Sequence, residues 1–362
     1  MDITGIRRGT ITILAAGVAA FALGGTASAQ DRVLNITTYD KFIPQDFLDR
    51  FEQDTGIEVR IRLTDDQGKQ YNLLTAETSQ PTTDIVTVTG HRMSQFIDGN
   101  LLEPLDTGRL SNWGNLAPTY AGAPQLTSKD QVWGVPILAG FEALARNTEL
   151  TEASDTWGVM FDPQYKGMTS YILSDFFSIV MLWQGNDGDF VTYTDRAQAE
   201  ADAAEAEQFL IEQKPMVRKY YDAGAEVQQM FVNEDIVLAQ SWSGPIAKLI
   251  MDGLPIEMSI PKEGTYGFVY SFNIAKGAPN ADAAYQFLDA LLGDPEAGVE
   301  MTRETGFAST FAGVIDQLSE QERKALILPD EQLARIQFFS DVNRDMKNEI
   351  IDAAVARVKA AN

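Results

Sequence analysis

Short β-branched apolar runs alternate along this chain with stretches whose apolar residues recur at helical spacing, the pattern of an α/β fold. The first unit runs from Leu34 to Leu63. Leu34 to Thr38 is rich in Ile and Thr and predicts a strand. Pro44 suits the first position of a helix, where no N–H is needed. Phe47, Leu48 and Phe51 give that helix one apolar face, and Gly56 suits its C-terminal cap. Ile57, Val59, Ile61 and Leu63 then alternate with Glu58, Arg60 and Arg62, the period of a second strand. Such a βαβ unit predicts parallel strands. It places the loop from Tyr39 to Ile43 at the carboxyl end of the first strand, where open α/β sheets bind ligands.

The pattern repeats. Asp84 to Val88 predicts a buried strand, which turns through Thr89, Gly90 and His91 into a helix carrying Met93, Phe96 and Ile97. Arg92 is expected to face solvent. Trp133 to Leu144 reads as two strand fragments meeting at Gly140, whose backbone freedom suits a hinge. Glu142 interrupts the apolar run there. Burying an acid without a partner is costly, so Glu142 is expected either to be exposed or to meet a positive group. Residues 195–208 are rich in Ala and Glu and predict an exposed helix reaching Leu210 and Ile211. Tyr220 and Tyr221 are expected on a helix, in the core and at the surface respectively. Ile236 to Ala239 predicts a strand leading to Trp242, and Ser243-Gly244-Pro245 opens a helix whose free N–H groups suit an anionic group. Residues 316–362 read as an amphipathic helical tail.

Composition narrows the chemistry. Residues 1–29 carry Arg7 and Arg8, an apolar run from Ile11 to Leu23, and Ala27-Ser28-Ala29, the pattern of a cleaved export signal. The mature chain is then expected to begin at Gln30, in a periplasm. What remains is long enough for two domains. The chain has no Cys and one His, His91, so thiolate–zinc sites, cysteine nucleophiles and most histidine catalysis are excluded. No cofactor or metal is expected. A net charge of −24 repels nucleic acid and attracts cations at long range.

Several segments, in order, resemble the periplasmic polyamine (spermidine/putrescine)-binding proteins of ABC transporters. They are YDKFIPQDFLDRFEQDTGIEV at the first βαβ unit, the aromatic-x-P-x-YKG turn at residues 161–167, and the G-x-PI, PKEG and S-x-x-I run between Gly253 and Ile274. The resemblance spans nearly all of the mature chain. It implies an α/β two-lobe periplasmic binding protein fold of type II, each lobe a mainly parallel sheet flanked by helices. It sets lobe 1 at 30–139 plus 268–314 and lobe 2 at 140–267 plus 315–362, joined by hinge strands that close on a ligand. It also implies a small-molecule solute, a membrane permease as partner, a monomer, and no enzyme activity.

The ligand residues it implies are Tyr39, Phe42, Thr89, His91, Trp242 and Phe268. The family's acids do not carry over. Its amine-pairing positions hold Ser174 and Phe177, with Asp175 one residue out of register, and its second clamp position holds Tyr270. Asp175 and Glu142 are the acids available to replace them. Three readings follow: a receptor for a polyamine or related amine, with Asp175 or Glu142 in the cleft; the same fold holding a carboxylate-bearing solute, with His91, Arg92 or helix N-termini turned inward; and a secreted hydrolase, for which no acid pair stands out.

Overall fold

The structure, a computed structural model, describes residues 33–64 and 66–361. The export segment expected at 1–29 lies outside them.

The first unit forms as its pattern predicts. β1 (Val33–Thr38) leads through α1 (Gln45–Thr55) to β2 (Glu58–Leu63), and the two strands pair in parallel. Phe47, Leu48 and Phe51 are buried, and Gly56 caps α1 in the left-handed region at φ 66°. Pro44 is the N-cap rather than the first helical residue. β2 is the edge strand, so Ile61 and Leu63 stay exposed despite their alternation. α2 (Gln67–Glu77) returns the chain to β3 (Ile85–Thr89), fully buried and parallel to β1. Asp84 fixes this corner, since its carboxylate accepts the backbone N–H of Asn35 at 2.8 Å and of Asn280 at 2.7 Å.

α3 (Met93–Asp98), the single turn α4 (Pro118–Ala121) and the small ribbon of β4 (Thr127–Ser128) and β5 (Gln131–Val132) precede the first crossing. That crossing is β6 (Val135–Asn147), one unbroken strand rather than two fragments. The second lobe is built from β7 (Thr169–Tyr171), α5 (Leu173–Trp183), α6 (Arg196–Gln213), β8 (Val217–Tyr220), α7 (Gly224–Val232), β9 (Leu238–Trp242), α8 (Ser243–Met251) and β10 (Ile256–Ser259). Tyr220 and Tyr221 fall at the end of β8, not on a helix, and their burial is the reverse of expectation. Tyr221 is buried and donates to the Gln240 carbonyl at 2.6 Å, while Tyr220 is half-buried.

β11 (Thr265–Ile274) makes the return crossing. α9 (Ala281–Leu292), α10 (Pro295–Thr305) and β12 (Ala308–Ser309) complete the first lobe's packing. The tail holds α11 (Val314–Gln317), α12 (Glu320–Leu326), α13 (Asp330–Leu333), β13 (Ile336–Phe338) and α14 (Arg344–Ala360). It is therefore not wholly helical, because β13 adds a parallel partner to β11. The PKEG turn earns its place by bonding: Glu263 accepts the Thr156 hydroxyl at 2.6 Å and the Trp157 N–H at 3.2 Å.

One strand path runs β2-β1-β3-β11-β6-β9-β7-β8 through both lobes. The lateral pairs β1·β3 and β7·β9 are parallel, whereas β11 and β6 run antiparallel to each other, β11 to β3 and β6 to β9. On one side a core gathers Leu34, Phe47, Ile137, Phe272 and Phe287. On the other, separate cores gather Trp157, Tyr171, Phe176 and Val358, and Tyr221, Phe231, Ile246 and Ile260.

Gly140 sits inside the continuous β6, with no positive φ that would itself call for glycine. Its reason is space. A Cβ there would meet the rings of Phe268 and Phe307 at 2.8 Å. Gly140→Ala is expected to force those rings apart and destabilise the protein by about 1–3 kcal/mol, read as a lower urea midpoint with unchanged slope.

Candidate functional site

Pairing along the crossing strands places a set of side chains on one sheet face. Directly opposed residues share a face, as do residues two apart. Thr89 opposes Tyr270, Phe268 opposes Gly140, and Glu142 opposes Trp242. Thr89, Tyr270, Phe268, Glu142, Trp242 and Gln240 therefore form one strip from the first lobe to the second.

The first-lobe end of the strip is aromatic. The Tyr270 ring lies 5.8 Å from Tyr39, 4.9 Å from Phe42, 5.3 Å from Phe268 and 5.5 Å from Phe307, mostly edge to face. Tyr39 and Phe42, 5.1 Å apart, come from the loop after β1. Gln67 ties that loop to β3, donating to the Tyr39 hydroxyl at 2.8 Å and accepting the Thr89 N–H at 3.1 Å. Phe307 reaches the cluster over Gly140 and Gly244, where only hydrogens leave room for its ring.

The second-lobe end is acidic. Trp242, the N-cap of α8, donates its indole N–H to Asp175 at 3.0 Å, and the exposed Ser174 donates to the other Asp175 oxygen at 3.1 Å. Glu142 is 1% exposed. Its carboxyl accepts the Gln240 side-chain amide, whose own carbonyl takes the Ile172 N–H at 2.9 Å. Glu142 is thus neither exposed nor set against a positive group, contrary to both expectations. Among the described residues no Lys or Arg ion-pairs with Glu142 or Asp175. Burial, and then the charge of Asp175, push the Glu142 carboxyl well above its ordinary range. Burial also raises Asp175, against the pull of Trp242, Ser174, Arg92 and Lys347. Burial and the neighbouring Tyr39, Glu142 and Asp175 hold the Tyr270 hydroxyl neutral.

His91 stands apart from this strip. Its ring lies 5.3 Å from Phe339 of the tail, and its Nδ1 is buried without a partner. Burial, then Lys347 and Arg92, lower its pKa well below the usual value, so it is neutral at pH 7. Arg92 is half-buried rather than solvent-facing, and bonds Gln95 at 3.3 Å. Beside it, Arg344 of α14 bonds Ser94 and lies 3.9 Å from Asp98, tying the tail to α3. Sequence reasoning missed Phe307, Gln240, Gln67 and Phe339. Only Phe307 carried a signal, in the Thr305-Gly306-Phe307 turn. Phe177, at one of the expected acid positions, is fully buried core.

The strip lies where two lobes meet on crossing strands, the arrangement of a protein that encloses a small solute between lobes. The sequence matches the bacterial extracellular solute-binding protein family over residues 46–326, and the chain belongs to that family. It is 24% identical over 310 residues to the putrescine-binding periplasmic protein PotF of Escherichia coli, covering 80% of this chain and 81% of that one. To the spermidine/putrescine-binding periplasmic protein 1 of Haemophilus influenzae it is 23% identical, covering 75% and 73%. The spermidine/putrescine ABC transporter substrate-binding protein PotD of Streptococcus pneumoniae superposes with a TM-score of 0.76 at 17% identity, covering 91% of this chain and 99% of that one. The fold is the two-lobe periplasmic binding protein fold that the resemblance implied.

Two outcomes follow from this geometry. Glu142 and Asp175 hold a proton more tightly in the native chain than in the unfolded one, so they remove stability as pH rises above their ordinary 4.5 and 3.8. Glu77 and Glu322, each lowered to about 2, act in the opposite sense, but only below 4.5. The solute-free protein is expected to melt lower at about pH 8 than at about pH 5.5, and Glu142→Gln to flatten that trend and gain on the order of 1 kcal/mol at the higher pH. Separately, Arg344→Ala, which removes the Ser94 and Asp98 contacts of the tail, is expected to speed solute dissociation several-fold in stopped-flow intrinsic tryptophan fluorescence.

Proposed function

We propose that this protein is the periplasmic receptor of an ABC transporter for a small solute bearing at least one ammonium group, a polyamine or a related amine. Its lobes close on the solute, and the closed form passes it to a membrane permease. One observation carries the reading: Glu142 and Asp175 lie at one end of an aromatic-lined strip, and among the described residues no cationic side chain ion-pairs with either. Unpaired acids in such a place are costly, and an ammonium group would remove the cost. The rings of Tyr39, Phe42, Trp242, Phe268 and Tyr270 suit the methylene chain and the cation faces of an amine. The names of the relatives, binding proteins for putrescine or spermidine, support the same class.

The acid clamp sits at new positions. Where the resembling family pairs amines, this chain holds Ser174, Phe177 and Tyr270, and we assign the pairing role to Asp175 and Glu142. Thr89 and Ser174 line the edges. His91 sits beside the tail contact. On this reading residues 1–29 are removed after Ala29, the lobes comprise 30–139 with 268–314 and 140–267 with 315–362, and the receptor works as a monomer without cofactor.

Calorimetric titration of protein refolded to strip bound solute tests this. Putrescine or spermidine is expected to bind with micromolar or tighter affinity, and Asp175→Asn to weaken it by about tenfold or more. No heat from either amine at millimolar concentration overturns the reading.

A further inference from the structure

Two acids in one site need not play the same part, and these two are held differently. Asp175 is half-buried and takes two hydrogen bonds, from Trp242 and Ser174. Arg92 and Lys347 act on it from a distance, Lys347 being itself ion-paired with Asp189 at 2.5 Å. Glu142 lies in the middle of the sheet. Its backbone carbonyl is pinned by the Thr265 hydroxyl at 2.6 Å, and its carboxyl has the Gln240 amide as its donor. That amide cannot turn over without losing the Ile172 N–H on its other end. The groups facing Glu142 are Gln240 and Trp242 from β9, Asp175 from α5, Tyr270 from β11 and Tyr221 from the end of β8. None of them is cationic, and one is an acid.

We propose that Glu142 selects a cationic solute by exchanging its proton for the solute's charge. In the empty cleft Glu142 is a neutral carboxylic acid near the Asp175 carboxyl. When an ammonium group enters, Glu142 ionises against it, and the released proton passes to solvent. The balance is simple: one ammonium arrives, one O–H bond of the carboxyl breaks, one proton leaves, and no electrons move. The empty site thereby avoids a fully buried negative charge at Glu142 in the neighbourhood of the half-buried Asp175. A neutral solute cannot compensate the ionised form, and an anion would oppose it, so the exchange discriminates by charge before any shape is read. Gln240 is a positioning residue, holding the carboxyl oxygen toward the strip. This inference rests on the amine reading above.

The test is titration of the full mature protein with putrescine in buffers of different ionisation enthalpy, from about pH 6 to about pH 8. About one proton is expected to be released per solute bound at the lower pH, with affinity rising by up to about tenfold per pH unit until Glu142 ionises unaided. Glu142→Gln is expected to bind more weakly, with flat pH dependence and no proton release. An infrared difference band from a protonated carboxyl, lost when putrescine is added and absent from Glu142→Gln, reads the same event directly, and circular dichroism checks that the variant folds. Strong binding with no proton release and no pH dependence overturns the exchange and leaves the amine reading standing. No binding of any amine overturns both.

Discussion

The structure depends on one constraint: β6 and β11 must hydrogen-bond to each other while serving partners in both lobes. β11 pairs with β3 through its second half and with β13 through its first. β6 pairs with β11 through Phe141 and with β9 from Glu142 onward. A ladder that changes partners within one strand leaves little room for error in register, since a slip of one residue would turn every side chain to the other face. The strip from Thr89 to Gln240 exists because that register is kept. Gly140 and Gly244 are part of the same constraint, for the strand and the start of α8 must pass close enough for Phe307 to lie against both.

From that frame the site acquires its polarity. Rings crowd the first-lobe end, where the loop after β1 and the turn after α10 come together over Tyr270. Acids occupy the second-lobe end, where α5 begins and β9 runs out. Trp242 touches the cores of both sides and bonds the acid of one, so it links the two chemistries physically. Contacts at the tail, between Phe339 and His91 and between Arg344 and Ser94, join residues 339–344 to the segment after β3.

The local pattern of the chain carried the first unit, the buried run of β3, the long α6 and the strand into Trp242, though α6 is not simply exposed: Ala199, Ala203, Ala206 and Leu210 bury one face of it. These elements depend on period and caps, which neighbours in sequence decide. Glu142 was visible as an anomaly, because an acid in an apolar run is unusual whatever surrounds it. Its actual setting was not visible: the Gln240 amide that bonds it lies 98 residues away. Tyr220 and Tyr221 were misread for a similar reason, since a strand turns alternate residues to opposite faces and a helix does not. Phe339, Gln67 and β13 gave no local sign, their partners being remote in sequence.

By itself, then, the sequence determined that alternating strands and helices form, which faces are apolar, and that the chain carries an export pattern and strong negative charge. Tertiary structure decided which acids come near one another and what surrounds them. Periodicity reports the face a residue turns away from water, and that is settled within a few positions. Whether a buried carboxyl finds a cation, an amide or another acid depends on strands brought together from distant parts of the chain, and no local pattern encodes it.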